Sequence, residues 1–143
     1  MSTIKVDTYL TRGGASEIAI DKLKGVTTAD SISVTAGSVT TTLQEGLAKT
    51  RIRFNQTGTP AITASFNIAS IVDGGTGDTT LTITNDYANV NYTINAQNDD
   101  NSVTTQIVSN DVFVGSYRQR TIDGNNSLVD APINYTITHG DLA

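Results

Sequence analysis

The sequence predicts an all-β protein: an extended N-terminal arm with short strands, a brief helical collar, then an antiparallel β-sandwich. Three observations carry this. A quarter of the 143 residues are Thr or Asn, while 37% are apolar and 6% aromatic. A polar, Thr-rich chain with isolated apolar residues suits half-buried strands better than helices. From residue 50 onward apolar and polar residues alternate in short runs, with turn-forming Gly, Asn and Asp clusters between them. Finally, the core that one copy can assemble is thin, which favours completing it with further copies of the chain.

Taken in order, residues 1–42 form the arm. Ile4 and Val6 alternate with polar neighbours, Gly13 and Gly14 break the run, and Ile18 and Ile20 alternate again. Two short strand segments follow at 31–35 and 38–42 around Ala36 and Gly37. Segments with one or two apolar residues each do not offset the ordering entropy of the backbone, about 1–2 kcal/mol per residue. Two readings stand: a flexible leader, or an arm of small strands ordered against neighbouring subunits. We take the second, with Ile4, Val6, Ile18 and Ile20 as docking residues.

Residues 43–50 form the collar. Leu43 and Leu47 are four apart and share a helix face, with Thr41 or Thr42 as N-cap. Two turns with Gly46 inside do not persist alone. Around a threefold axis Leu43 and Leu47 form a seam between copies; the alternative is a connector turn tucked against its own sheet.

Residues 51–143 form the sandwich. In the strand at 50–55, Ile52 and Phe54 point one way and Arg51 and Arg53 the other. After a turn at 57–60 a long hairpin follows, its tip at 73–78. Phe66, Ile68, Leu81 and Ile83 are its inward set, and Tyr92 and Ile94 share the core face of the next strand. A turn at 98–102, strands at 103–108, 112–114 with 117–122, and 132–139, and a break at 123–127 complete six or seven strands. By its alternation Tyr135 also reads as core.

The chemistry is spare. The charge of −5 argues against nucleic acid and against an anionic membrane face, both of which need a basic surface. There is no cysteine, and no apolar stretch of signal-peptide or membrane-spanning length. The Asp73–Asp78 glycine cluster lacks the Lys and following helix of a phosphate loop, and the alternating ligands of a calcium loop. His139 is the single histidine, and no nucleophile-elbow sequence accompanies it. We therefore expect no catalytic residue, metal or cofactor, and no enzyme. Arg51/Arg53 and Arg118/Arg120 each lie on one strand face, suited either to an anionic glycan or a neighbour's carboxylates, or to a solvated face. Arg118 and Arg120, with Tyr117, are the candidate surface contacts.

One stretch carries a resemblance. The chain reads Leu43-Gln-Glu-Gly-Leu-Ala-Lys49, then Ile52, Phe54, Thr57-Gly58-Thr59, Ser65-Phe-Asn-Ile-Ala-Ser-Ile71 and Asp73-Gly-Gly-Thr-Gly-Asp78. This resembles a module repeated in bacteriophage tail fibres, whose members carry Leu-Gln-x-Gly-Leu-Ala-Lys, a Ser-Phe-Asn-Val-Ser-Ser-Ile hairpin and Asp-x-Gly-Thr-Gly-Asp. Ser2-Thr-Ile-Lys-Val-Asp-Thr8 and Arg12-Gly-Gly also look like the opening of such fibre proteins. Arg51 departs from the pattern, standing where the family has Trp. The resemblance implies a virion structural protein assembled in the host cytoplasm. It implies a homotrimer whose arm docks on other virion proteins and whose β-domain faces outward, towards a host-surface glycan or protein. A short tail fibre or baseplate-associated fibre is the first expectation, and a capsid decoration (cement) protein that stabilises the head the alternative.

Overall fold

The computed structural model describes residues 32–36, 38–42 and 46–143. Ile4, Val6, Ile18, Ile20 and Leu43 lie outside the described residues. The described residues before position 43 form one hairpin, β1 (Ser33–Ala36) and β2 (Val39–Thr42), paired antiparallel with Ser33 opposite Thr42. Leu47, expected in a helical collar, is 54% exposed.

Eight further strands build two four-stranded sheets. The first runs β4 (Ala61–Phe66), β3 (Thr50–Asn55), β10 (Asn134–His139), β7 (Thr93–Asn98). The second runs β5 (Ile68–Gly75), β6 (Asp78–Ile83), β9 (Ser116–Asp123), β8 (Val103–Phe113). Every neighbouring pair is antiparallel. The sheets pack face to face: Ile52 and Phe54 from the first meet Ile68, Leu81, Ile83 and Tyr117 from the second, with Tyr87 and Tyr92 from the β6–β7 connection. Ile94 packs against this cluster, partly buried.

The edge strand of one sheet continues into the edge strand of the other through a single residue. Asn67 sits between β4 and β5 at φ 56°, a left-handed conformation that Asn tolerates better than most side chains. Its amide nitrogen donates to Lys49 O at 3.0 Å, and its Oδ1 accepts from the backbone and side-chain nitrogens of Asn85 at 2.9 and 2.8 Å. This corner explains two departures from expectation. The segment 61–66 is a separate strand of the first sheet, not part of the long hairpin. Phe66, expected in the core, is 57% exposed, because it lies before the crossover on the outer face while Ile68, after it, enters the core.

The hairpin tip forms at the glycine cluster, with β5 and β6 paired from Ile68 opposite Ile83 to Gly75 opposite Asp78. Gly77 is irreplaceable there on two counts. Its φ is 63°, and a Cβ would lie 2.6 Å from Thr121 O and 2.7 Å from both Val129 N and Val129 O.

Half of the interior is polar. Gln56 Nε2 donates to Thr79 Oγ1 at 3.1 Å, while Gln56 Oε1 accepts from Thr121 Oγ1, Asn134 Nδ2 and Ala131 N at 2.8, 3.0 and 3.3 Å. Gln119 Nε2 donates to Asn134 Oδ1 at 3.1 Å, and Thr136 Oγ1 donates to Gln119 Oε1 at 2.7 Å. All these side chains are buried. The network bridges the two sheets, satisfying amides that would otherwise be costly to bury.

Candidate functional site

Strand β10 is inverted relative to a simple apolar-in pattern. Asn134 and Thr136 point inward into the buried amide network and Thr138 points inward to the hydroxyls of Thr50 and Tyr87, so Tyr135 and Ile137 must point out. Tyr135, expected in the core, is 42% exposed, and Ile137 38%. Strand pairing sets the outer face of the first sheet in two rows. One is Ala64, Arg53, Tyr135, Gln97; the other is Phe66, Arg51, Ile137, Asn95. Each row carries a guanidinium, an apolar side chain and a primary amide from four different strands.

All of these residues except Phe66 line a basin of about 470 Å³, within the size range of small-ligand sites. The Arg53 guanidinium lies 5.9 Å from the centre of the Tyr135 ring, at the outer limit of a cation–π contact. No carboxylate lines the basin. Among the described residues neither Arg51 nor Arg53 has a carboxylate partner; the ion pairs found all involve Arg118 or Arg120.

The outer face of the second sheet is the opposite case. Asp78, its side chain 5% exposed, accepts from Arg118 Nε at 2.6 Å, from Arg118 Nη2, and from Arg120 Nε at 3.0 Å. Arg118 Nη1 reaches Asp111 Oδ2 at 3.0 Å. The Arg118 hydrogen bonds hold the Asp78 carboxyl below the usual range, against an opposing effect of burial and with help from Arg120. The same pairing with Asp78 and Asp111 raises the Arg118 guanidinium further. Arg118 and Arg120, expected as surface contacts, are thus engaged within the chain, each still partly exposed. Tyr117 is no surface residue at all. Its neighbours on β9 face outward, so it faces inward and is wholly buried, without a hydrogen bond of normal geometry for its hydroxyl.

The tyrosines of the core form a second polar–aromatic group. Tyr87 and Tyr92 stack at 3.9 Å between ring centres and 7° between planes. Tyr92 donates to Phe113 O at 2.8 Å, and the Tyr87 hydroxyl bonds Thr138 Oγ1. Burial pushes the Tyr92 phenol up to about 12, raises Tyr87 against the Thr138 and Thr50 hydroxyls, and raises Tyr117 most.

His139 ends β10, half-buried. Among the described residues no three His, Cys, Asp or Glu side chains come together as a metal site, and no helix is long and apolar enough to cross a membrane. The face that sequence reasoning undervalued is that of Arg51 and Arg53. The signal was present in the row of alternate residues 51 and 53, but its partner strand could be identified only once β10 was known to be inverted. No family model, no curated protein and no solved structure matches the chain.

Proposed function

We propose that this chain is a non-enzymatic structural protein of a bacteriophage particle, a short tail-fibre or baseplate-associated subunit. It works as a homotrimer, docks on other virion proteins through its N-terminal residues, and presents its β-domain to the host surface. The observation that carries the reading is the stretch from Leu43 to Ile83 that resembles fibre modules. Its residues have tasks in this fold. Ile52 and Phe54 fill the core, Asn67 makes the sheet-to-sheet corner, and Gly77 occupies a site with no room for a side chain. That the resembling residues are ones on which this fold depends is what supports the reading.

Two further features support a contact role. Leu47 exposes an apolar side chain three residues before β3, where a sister chain can cover it. The outer face of the first sheet displays Phe66, Tyr135 and Ile137 beside two arginines, a mix of residues enriched at recognition surfaces. The test is immunogold labelling of intact particles with an antibody against the chain, paired with light scattering of the purified protein. Gold at the tail or baseplate and a trimeric mass are expected. Gold over heads that lack tails selects capsid decoration instead, and a stable monomer at micromolar concentration contradicts the trimer.

A further inference from the structure

We propose that the basin on the outer face of the first sheet binds a carboxylated polysaccharide. The proposal deepens the fibre reading, on which the ligand's identity as a host-surface polymer rests. Three features of the basin point to this ligand class. Arg51 and Arg53 project from one face of β3 without a carboxylate partner among the described residues, in a chain of net charge −5. In such a chain two guanidinium groups side by side, with no ion pair among the described residues, mark a place where an anion from outside can bind. Tyr135 offers an exposed ring on the same strand face as Ile137, on which the C–H face of a sugar can lie. Asn95 and Gln97 bring exposed primary amides, each a donor and an acceptor, matching the vicinal hydroxyls of a pyranose.

The arrangement repeats along the strands. Arg53–Tyr135–Gln97 and Arg51–Ile137–Asn95 are successive rows two residues apart, roughly 7 Å along the strand direction. A polymer crossing both rows can place one carboxylate on each guanidinium, which a lone small anion cannot. A neighbouring protein's acidic side chains share the charge but leave the paired amides without a particular purpose, so the glycan is favoured. Binding joins the ligand by hydrogen bonds and ring contact alone, and no bond is made or broken.

The test is calorimetric titration of the full-length chain with oligogalacturonate, with the same oligomer after reduction of its carboxyls to alcohols, and with dextran sulfate. Oligogalacturonate is expected to bind and to weaken as salt rises. Reduction of the carboxyls, or the double variant Arg51→Ala/Arg53→Ala, is expected to weaken binding by about tenfold or more, the range lost with charge-assisted hydrogen bonds. Tyr135→Ala is expected to weaken it severalfold, and Val72→Ser, on the opposite sheet, to leave it unchanged. Circular dichroism and melting curves check that each variant is folded.

Equal binding of the reduced oligomer, or of dextran sulfate with no effect of Tyr135→Ala, overturns the proposal in favour of unspecific attraction. Absence of binding, together with an oligomer that the double arginine variant dissociates, overturns it in favour of an interface between copies. Gold labelling of the particle separates the two levels. A chain found on the virion that ignores every polymer removes this inference and leaves the proposed function standing. A chain that binds but is absent from particles does the reverse.

Discussion

Replacing Gln56 with leucine keeps the approximate shape of the side chain and deletes its hydrogen bonds. The consequences can be followed partner by partner. Thr121 Oγ1 keeps its bond to Val129 O at 2.5 Å, and Asn134 Nδ2 keeps Ala131 O at 3.1 Å. Ala131 N and Thr79 Oγ1 have no other partner among the described residues, and both are buried. Two orphaned groups at about 1–3 kcal/mol each give a loss of about 2–6 kcal/mol, offset in part by the gain from burying leucine. Against a typical domain stability of about 5–15 kcal/mol this is a large fraction. Urea denaturation followed by tyrosine fluorescence is the assay, since the chain has no Trp. A loss of about 3 kcal/mol moves the midpoint by roughly 1.5 M at a slope near 2 kcal/mol/M. An unchanged slope with a midpoint shift below about 0.5 M would mean that the polar layer contributes little net stability, and the account of the core would be wrong.

Four other outcomes follow from the same geometry. Asp78 has a lowered folded pKa, so its contribution is present above the unfolded value of 3.8 and is lost as pH falls through the folded one. The melting temperature should therefore drop on acidification below about pH 4, and Asp78→Asn should flatten that drop while lowering stability at neutral pH. Tyr92, Tyr87 and Tyr117 have raised folded pKa values, so stability is full below their unfolded value of 10.0 and declines above it. Phenolate absorbance should then include a cooperative step that coincides with unfolding on alkaline titration; gradual independent ionisation of all five tyrosines would contradict their burial. Gly77→Ala should cost more than about 2 kcal/mol, because strain at positive φ adds to a clash with backbone atoms that cannot swing aside. At the corner, Asn67→Gly should be milder than Asn67→Ala by about 1 kcal/mol, since glycine keeps the left-handed backbone and both lose the side-chain bonds. Equal losses would mean the φ value contributes nothing.

Much of the fold was legible because alternation and turn chemistry are local. The 50–55 strand, the hairpin tip and the inward placement of Ile52, Phe54, Ile68, Leu81 and Ile83 follow from period-two patterning and glycine clusters. The misreadings share one cause. Phe66 was assigned by continuing its alternation through Asn67, yet the left-handed residue moves the chain to another sheet and resets the phase. Tyr135 was assigned inward by its alternation with Asn134 and Thr136, yet these polar neighbours are the buried ones. The ion pairs of Arg118 and Arg120 could not be read because Asp78 is 40 and 42 residues away in sequence, invisible to local pattern. The basin suffered the same fate: its side chains come from four strands whose order could not be read from the chain.

The inversion of β10 decides more than one residue's burial. Shifting this strand by one residue would send Tyr135 and Ile137 inward and Asn134, Thr136 and Thr138 outward. Burying the two apolar side chains more fully would gain at most about 1.5–3 kcal/mol each, and less here because both are already half-covered. The shift would take Asn134 away from Gln56 and Gln119 and Thr136 away from Gln119, leaving several buried polar atoms unpaired at about 1–3 kcal/mol apiece. The losses outweigh the gain, so the amide network holds the strand in the register that puts a tyrosine and an isoleucine on the outside. The outer face of the first sheet and the polar core are therefore one choice made by the sequence. Asn134→Leu should loosen both together, lowering stability and perturbing the Tyr135 environment, whereas Tyr135→Ala should alter only the outer face.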